Sequence, residues 1–169
     1  MRLDDRAKFA IIFISACVAG FFILGLGPVQ EHVITPMTAG LAKLSGVILQ
    51  LLRQDVTISG TLIASPRFAV EILNGCNGAE AILLLVACIA SFRATAKQKI
   101  LGIVAGSVVL QLVNIVRIVS LYLLGAYQRD LFDLFHSAVW QVLIILVSLV
   151  IFNVWSSRVR ASASLAPAA

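Results

Sequence analysis

The chain has 169 residues, of which 60% are hydrophobic and only 12% are charged, and its mean hydropathy is +1.03. Soluble domains carry about 25% charged residues and small ones leave much of their surface in water, so this composition excludes an ordinary soluble domain. Disorder is excluded too, because it requires low hydrophobicity. Cys17, Cys76 and Cys88 lack CxxC spacing, so we expect neither a disulfide framework nor a zinc site. The composition predicts an all-α integral membrane protein.

Four apolar segments approach the roughly 20 residues that a membrane-spanning helix needs. They are residues 9–27, 76–92, 100–124 and 137–155. The first is too long for the core of a signal peptide and no A-x-A cleavage site follows it, so we expect it to be retained. The Ala-, Ser- and Pro-rich tail of residues 161–169 is predicted to be disordered. The whole chain, residues 1–169, is predicted to form a single membrane domain with about four transmembrane helices.

The distribution of basic residues orients these segments. Eight of the 13 lysines and arginines precede the first segment, separate the second from the third or follow the fourth: Arg2, Arg6, Lys8, Arg93, Lys97, Lys99, Arg158 and Arg160. Because cytoplasmic loops carry the excess of Lys and Arg, both termini are predicted to face the cytoplasm. Topology therefore accounts for the net charge of +5, so the lipid bilayer is an expected partner and nucleic acid is not.

Residues 28–75 form the predicted extracytoplasmic segment. Within it, Thr35 followed by Pro36 is typical of a helix start, and apolar residues then recur at helical spacing. This pattern predicts a helix at the outer membrane interface, with a re-entrant segment as the less favoured alternative. Residues 56–59 and 68–72 alternate with period two, which predicts a short β-hairpin.

A polar stripe runs along the third apolar segment. Ser107, Gln111, Asn114 and Arg117 are spaced by four, three and three residues, which places them on one side of a helix. Arg117 lies about 25 Å beyond Ile100 along the helix axis, near the outer end of the segment. A charge inside a span is costly and marks either function or a buried partner. A structural seam between helices accounts for the stripe as well as a functional role does.

Cys76 lies between two glycines in the Asn-Gly-Cys-Asn-Gly motif of residues 74–78. The glycines allow a sharp backbone turn, and a helix N-terminus stabilises the reactive thiolate. Glu80 opposes that ionisation unless it is protonated or paired with Arg117. Cysteines in apolar segments are usually packing residues, and Cys17 and Cys88 are typical of that class.

His136 opens the fourth apolar segment on the predicted outer side. A neutral imidazole there can act as a general base and acid, although an interfacial histidine with an ordinary hydrogen bond is the simpler alternative. His32 fits that alternative better, because no reactive residue lies near it in sequence. The predicted topology places Cys76, Arg117 and His136, from three helices, on the same outer rim.

From about residue 70 to residue 155 the sequence resembles the exosortases and archaeosortases, which are multi-pass membrane cysteine transpeptidases. The resemblance rests on Gly-Cys-Asn-Gly around Cys76, on Asn-Ile-Val-Arg-Ile ending at residue 118, and on His136. It implies that Cys76, Arg117 and His136 are the catalytic set. Family members commonly have Ser-Gly after the cysteine, where this chain has Asn77-Gly78, and most are longer. The short form is similar to the exosortase H type.

The resemblance also implies the substrate and the chemistry. The expected substrates are exported proteins that end in a short motif, a transmembrane helix and a basic cytoplasmic end, of the IPTLxxWG-CTERM kind for the H type. The cysteine would form a thioester acyl-enzyme on the outer side of the bacterial inner membrane, and no metal or organic cofactor is expected.

A non-enzymatic membrane protein is the rival prediction. A small assembly or carrier subunit would use the polar stripe as a seam between helices, and its cysteine would be incidental. The sequence lacks the discontinuous repeats of secondary transporters and the GxSxG and HExxH motifs of other hydrolases. A companion protein with a three-part C-terminal signal would favour the enzyme.

Overall fold

The computed structural model describes residues 4–164, which form helices and one small antiparallel sheet. In chain order the elements are α1 (Asp5–Leu24), α2 (Gly27–Leu51), β1 (Thr57–Ser59), β2 (Leu62–Ala64), β3 (Ala69–Glu71), α3 (Ala79–Ser91), α4 (Ala96–Tyr127) and α5. The last helix, α5, is a continuous run of Arg129–Leu134, a π-helical turn Phe135–Val139, and Trp140–Ser164. Helix α2 likewise contains a π-helical turn, Gln30–Ile34.

Four of the described helices are long and apolar enough to cross a membrane, which agrees with the predicted class and number. They are Arg6–Leu24, Gly27–Leu51, Ala96–Tyr127 and Arg129–Ser162. Three of them contain most of a predicted span. The fourth, α2, coincides with no predicted span, and the predicted span at residues 76–92 contains a shorter apolar helix, Ala79–Ser91.

Helix α3 begins at Ala79 and ends at Ser91, so it has 13 residues and a length of about 20 Å. This is less than the hydrocarbon thickness of about 30 Å. The helix packs against α1, α4 and α5. Its Leu85 and Ile89 are fully buried in a hydrophobic core that α3 forms with α4 and α5. Its high apolarity therefore reflects contact with other helices as much as contact with lipid.

The sequence predicts that this helix starts at Thr35, but in the structure α2 starts at Gly27. Pro36 cannot donate a backbone hydrogen bond, and its ring displaces the carbonyl of the residue four positions earlier. That position, His32, lies inside the π-helical turn, so the wider turn carries the helix past the proline. One side of α2 is buried against the sheet and against the C-terminal part of α4, around Ile118 and Tyr122.

The small antiparallel sheet confirms the predicted short hairpin between α2 and α3, but it has three strands in the order β1-β2-β3, so residues 56–59 and 68–72 pair with β2 and not with each other. Ile63 of β2 pairs with Ile58 on one side and with Val70 on the other. Ile63 is fully buried in a second hydrophobic core, which the sheet forms with α2 and α4. The run between the two alternating segments contributes only three strand residues, too few for a period-two pattern to indicate a strand.

Helix α5 continues through Ser164, so it covers the first residues of the tail that was predicted to be disordered. Residues 165–169 of that prediction lie outside the described residues. Near the other end of α5, Trp155 donates from Nε1 to the carbonyl of Gln98 at 3.0 Å. This contact ties the beginning of α4 to the later part of α5.

Candidate active site

The loop between β3 and α3 carries Cys76, and two glycines shape it. Gly75 and Gly78 have φ angles of +85° and +79°, in the left-handed region that favours glycine. A Cβ atom on Gly78 would also lie 3.3 Å from Oε1 of Gln111 and 3.4 Å from Asn114. Both glycines are therefore favoured by backbone conformation, and at Gly78 the close approach of α4 also limits the space for a side chain.

Asn77 anchors the same loop from the inside. Its Oδ1 accepts from the amide of Ala79 at 3.0 Å, and its Nδ2 donates to Thr38 Oγ1 on α2 and to Asn74 Oδ1, both at 3.2 Å. The side chain is fully buried. Asn77 thus accepts from the first amide of α3 and also fastens the loop to α2, two roles that the sequence did not indicate.

The structure brings the three predicted site residues together. Cys76 Sγ lies 3.1 Å from His136 Nε2, and Arg117 Nη2 donates to the same sulfur at 3.5 Å. The three side chains come from the loop before α3, from α4 and from the start of α5. Residues separated by 60 positions in the chain are therefore in direct contact at one sulfur atom.

His136 belongs to the π-helical turn Phe135–Val139. Such turns insert an extra residue into a helix and are frequent at functional sites, because they redirect side chains. The imidazole stacks on the ring of Phe132, with centroids 5.4 Å apart and planes 26° apart. The stacking limits the orientations available to the imidazole that faces the sulfur.

Arg117 is almost entirely buried, with 1% of its surface exposed. Besides the contact with Cys76, its Nη1 donates to the carbonyl of Gly75 at 3.4 Å, and its Nε has no hydrogen-bond partner. The carboxylate of Glu80 instead accepts from the amide of Gly75 at 2.9 Å. Arg117 and Glu80 therefore bind the two sides of the same residue: Arg117 donates to the carbonyl of Gly75, and Glu80 accepts from its amide.

Cys76 lies in the loop outside the helices, and burial raises the pKa of its thiol above the ordinary value. The positive charge of Arg117 lowers the pKa, and the negative charge of Glu80 raises it, both less strongly than burial. The thiolate that the helix N-terminus was expected to favour is therefore disfavoured by desolvation. A base that accepts the thiol proton is needed, and His136 is the base in contact.

A small cavity of about 110 Å³ opens in front of the sulfur. Its walls are formed by Val70, Glu71, Ile72, Cys76, Arg117, Ile118, Leu121, Phe132 and His136. Phe132 also lines a neighbouring cavity of about 460 Å³, which contains Arg67 and Arg129. The short sheet therefore completes the site, because β3 supplies one wall of the cavity.

The other candidates lie elsewhere. Cys17 is on α1 and Cys88 on α3, and neither lines this cavity. His32 Nδ1 lies 3.0 Å from the carbonyl of Pro28, as expected for a structural histidine. No group of three His, Cys, Asp or Glu side chains that could hold a metal ion occurs among residues 4–164.

The fold and the site together define a multi-pass membrane protein with a cysteine, a histidine and an arginine around one small cavity. The family model for the transmembrane exosortases matches residues 5–154, and the chain therefore belongs to the transmembrane exosortase family. This is a family of membrane cysteine transpeptidases. No curated protein and no solved structure gives a significant match to the chain.

Proposed function

We propose that this chain is a cysteine protease or transpeptidase that cleaves C-terminal sorting signals of exported proteins at the outer face of the membrane. The observation that carries the proposal is the contact of Cys76 Sγ with His136 Nε2 at 3.1 Å and with Arg117 Nη2 at 3.5 Å. A thiol beside a base and a cation is the arrangement that nucleophilic acyl transfer requires. Family membership supports the same class of reaction.

In the proposed reaction His136 takes the proton of the Cys76 thiol, and the sulfur attacks the carbonyl carbon of the scissile peptide bond. The C–N bond breaks, and the imidazolium of His136 returns its proton to the leaving amine. The product of this half is a thioester between Cys76 and the exported protein. In the second half an amine, hydroxyl or water on the outer side attacks the thioester and releases the thiol.

Arg117 is proposed to stabilise the oxyanion of each tetrahedral intermediate. Its Nε is buried and has no partner, so a donor is available beside the sulfur. A hydrogen bond aimed at a developing negative charge is worth most in a buried site. The guanidinium would keep its contact with the Gly75 carbonyl and use the remaining donors for the substrate.

The depth of the site in the membrane supports a substrate that ends in a transmembrane helix. Exposed large apolar side chains follow α4 from Ile100 to Val116, and Arg117 is the next residue. These positions span about 25 Å, close to the hydrocarbon thickness. A peptide bond just outside a substrate's transmembrane helix would therefore meet the sulfur at the membrane surface.

The opposite end of the bundle gathers the basic residues. Arg6, Lys8, Arg93 and Arg160 line one pocket there, together with Phe9 and Phe92. This clustering supports the topology in which both termini and the α3–α4 connection face the cytoplasm. In this topology Cys76 would lie on the outer side of the inner membrane, where exported proteins of the exosortase H signal type would be processed.

The test is processing of a protein with the three-part C-terminal signal in cells, normalised to the membrane level of each variant. Cys76→Ala should abolish processing and leave abundance close to normal, because a half-buried loop side chain contributes little packing. Cys17→Ala and Cys88→Ala are the matched controls and should process normally. Normal processing by Cys76→Ala would end the transpeptidase proposal.

A second variant separates catalysis from a purely structural role. His136→Ala should inactivate as Cys76→Ala does, and the double variant should lose no more than either single variant, because residues of one catalytic unit are non-additive. If the protein were a non-enzymatic assembly or carrier subunit, losses would instead follow protein abundance. Cys76→Ala would then be nearly silent.

A further inference from the structure

Helix α4 holds the loop that carries the nucleophile through a row of three side chains. Gln111 Nε2 donates to the carbonyl of Asn77 at 3.2 Å, Asn114 Nδ2 donates to the carbonyl of Cys76 at 3.2 Å, and Arg117 Nη1 donates to the carbonyl of Gly75 at 3.4 Å. The donors are three residues apart on α4, and the acceptors are consecutive in the loop. The loop therefore runs antiparallel to α4, and each successive loop residue matches a step of three residues, almost one turn, along the helix.

The amide side chains are committed to this role. Asn114 is fully buried, and its Oδ1 has no hydrogen-bond partner, nor has the Oε1 of Gln111. Each side chain thus leaves its own acceptor unpaired while its NH₂ group serves a loop carbonyl. Burying unpaired acceptors is unfavourable, and the hydrogen bonds that the two NH₂ groups make with the loop offset part of that cost.

The loop also has little regular structure of its own. Two of its residues, Gly75 and Gly78, have left-handed backbone conformations, so they restrict the chain less than other residues would. The direction of the Cys76 side chain depends on the peptide planes on either side of it. Gln111 and Asn114 fix the carbonyl of the plane that follows Cys76 and the carbonyl of the next one.

We propose that Gln111 and Asn114 are positioning residues of this enzyme. By holding two successive loop carbonyls they keep Cys76 Sγ within 3.1 Å of His136 Nε2, which projects from a different helix. This proposal rests on the proposed function, and it adds two residues that touch neither the sulfur nor the imidazole. A misplacement of about 1 Å at a reacting atom can reduce the rate about 100-fold, so their removal should affect catalysis at a distance.

The experiment replaces each amide by an apolar residue of similar size. Asn114→Leu and Gln111→Met remove the donors and keep most of the volume, and Met at 111 would pack beside Met37, which Gln111 already contacts. Ser107→Ala is the matched control, because Ser107 lies on the same stripe of α4, four residues before Gln111. All variants are made in a Cys17→Ala, Cys88→Ala background and purified in detergent.

Two readouts are compared. The first is signal processing in cells, which should fall about 10- to 100-fold per membrane-inserted molecule in Asn114→Leu and Gln111→Met and stay unchanged in Ser107→Ala. The second is the rate of Cys76 alkylation by iodoacetamide as a function of pH, which needs no substrate. His136→Ala should shift this profile, because it removes the base in contact with the thiol.

The positioning role predicts that Asn114→Leu shifts the alkylation profile in the same way as His136→Ala, and that the double variant shifts it no further. A merely structural role would lower abundance without this coupling. An unshifted profile, a full additional shift in the double variant, or an equal effect of Ser107→Ala would each overturn the proposal. If Asn114→Leu does not accumulate, Gln111→Met decides by the same criteria.

The two proposals fail in different ways. If Cys76→Ala still processes the signal, the transpeptidase proposal fails, whatever the alkylation profiles show. If Cys76→Ala is inactive but Asn114 and His136 are uncoupled in alkylation, only the positioning role fails.

Discussion

The guanidinium of Arg117 contacts two targets at once and keeps a third donor unpaired, in a rigid planar arrangement that an ammonium group lacks. Nη1 contacts the Gly75 carbonyl, Nη2 contacts the sulfur, and Nε has no hydrogen-bond partner. Lysine would keep the positive charge that lowers the pKa of Cys76 but would lose this planar set of donors. The directional hydrogen bonds and the charge can thus be separated at a single position.

We expect Arg117→Lys to lower processing about 100- to 1,000-fold, the usual cost of removing one oxyanion donor. The measurement is processing per membrane-inserted molecule, with abundance determined on the same samples. Lys43→Arg, an exposed basic position on α2, is the control for handling of a basic substitution and should be silent. Full activity of Arg117→Lys at normal abundance would leave the oxyanion role unsupported.

Glu80 provides a test of the charge balance at the thiol. Glu80→Gln keeps an oxygen that can accept from the Gly75 amide and removes the negative charge that raises the pKa of Cys76. The pKa of Cys76 should fall, so the pH midpoint of its alkylation should move to lower pH and its rate at neutral pH should rise. The measurement is the alkylation rate between pH 6 and about pH 10, a range that brackets ordinary cysteine pKa values.

Glu71→Gln is the control for that comparison. Glu71 also lines the cavity beside Cys76, but it is not among the charges that shift the pKa of Cys76. Its substitution should leave the alkylation profile where it is. An equal shift in both variants would mean that a general change in the cavity, rather than the charge of Glu80, controls the thiol.

At the scale of the elements, the contact between the sheet region and α4 decides whether the cavity has a wall. Phe68 packs edge-on against both Tyr122 and Phe132, and it lies directly over Gly125 of α4. Tyr122 also donates from its hydroxyl to Ser65 at 2.7 Å. The turn before β3 is thus fixed to α4 by a close aromatic contact that only a glycine permits.

Gly125→Ala should therefore destabilise the packing of the sheet against α4. The new Cβ would clash with the Phe68 ring, which is confined by two other rings, and overpacking of this kind costs about 1–3 kcal/mol. The measurement is thermal stability in detergent together with processing. Gly40→Ala on α2 is the matched control: nothing lies within 4 Å of its added Cβ, so stability should be unchanged or raised by about 0.5–1 kcal/mol.

At the scale of the whole molecule, α2 is the element whose relation to the membrane is least obvious. It is long and apolar enough to cross a membrane. However, residues at or next to its two ends contact the loop that carries Cys76 and the C-terminal end of α4. Asn74 Nδ2 donates to Gln30 Oε1 at 3.0 Å, and Tyr127 at the end of α4 donates to Gln54 Oε1 at 2.9 Å. These contacts favour a helix that starts and ends on the outer side, with its exposed apolar stripe toward lipid.

Reporter fusions test this arrangement. Fusions after Lys97 and Arg160 should report a cytoplasmic location, because both positions lie at the basic end of the bundle. Fusions at Gln54 and Asp130 should report the outer side. A cytoplasmic signal at Gln54 would show that α2 crosses the membrane, and the proposed side of the active site would then be wrong.

Local chemistry was enough to nominate the site residues, and not enough to describe their support. A cysteine between two glycines, an arginine in an apolar helix and a histidine at a helix entrance are each unusual in their own surroundings, so sequence could point to them. Asn77 and Thr38 carry no such signal, because a buried pair of polar side chains from distant elements is visible only after both are placed. The same holds for the row of carbonyls that α4 holds.

The sequence by itself determined the class of protein, the number of long apolar helices and the polar stripe on α4, because these depend on composition and on the helical period. The tertiary structure decided which apolar segment is the central helix, how three short strands pair, and how close Cys76, Arg117 and His136 come. The physical reason is that lipid and a protein interior are both apolar, so hydropathy cannot distinguish a helix surrounded by helices from one surrounded by lipid. Only packing makes that distinction, and it is packing that brings a sulfur, an imidazole and a guanidinium to one point.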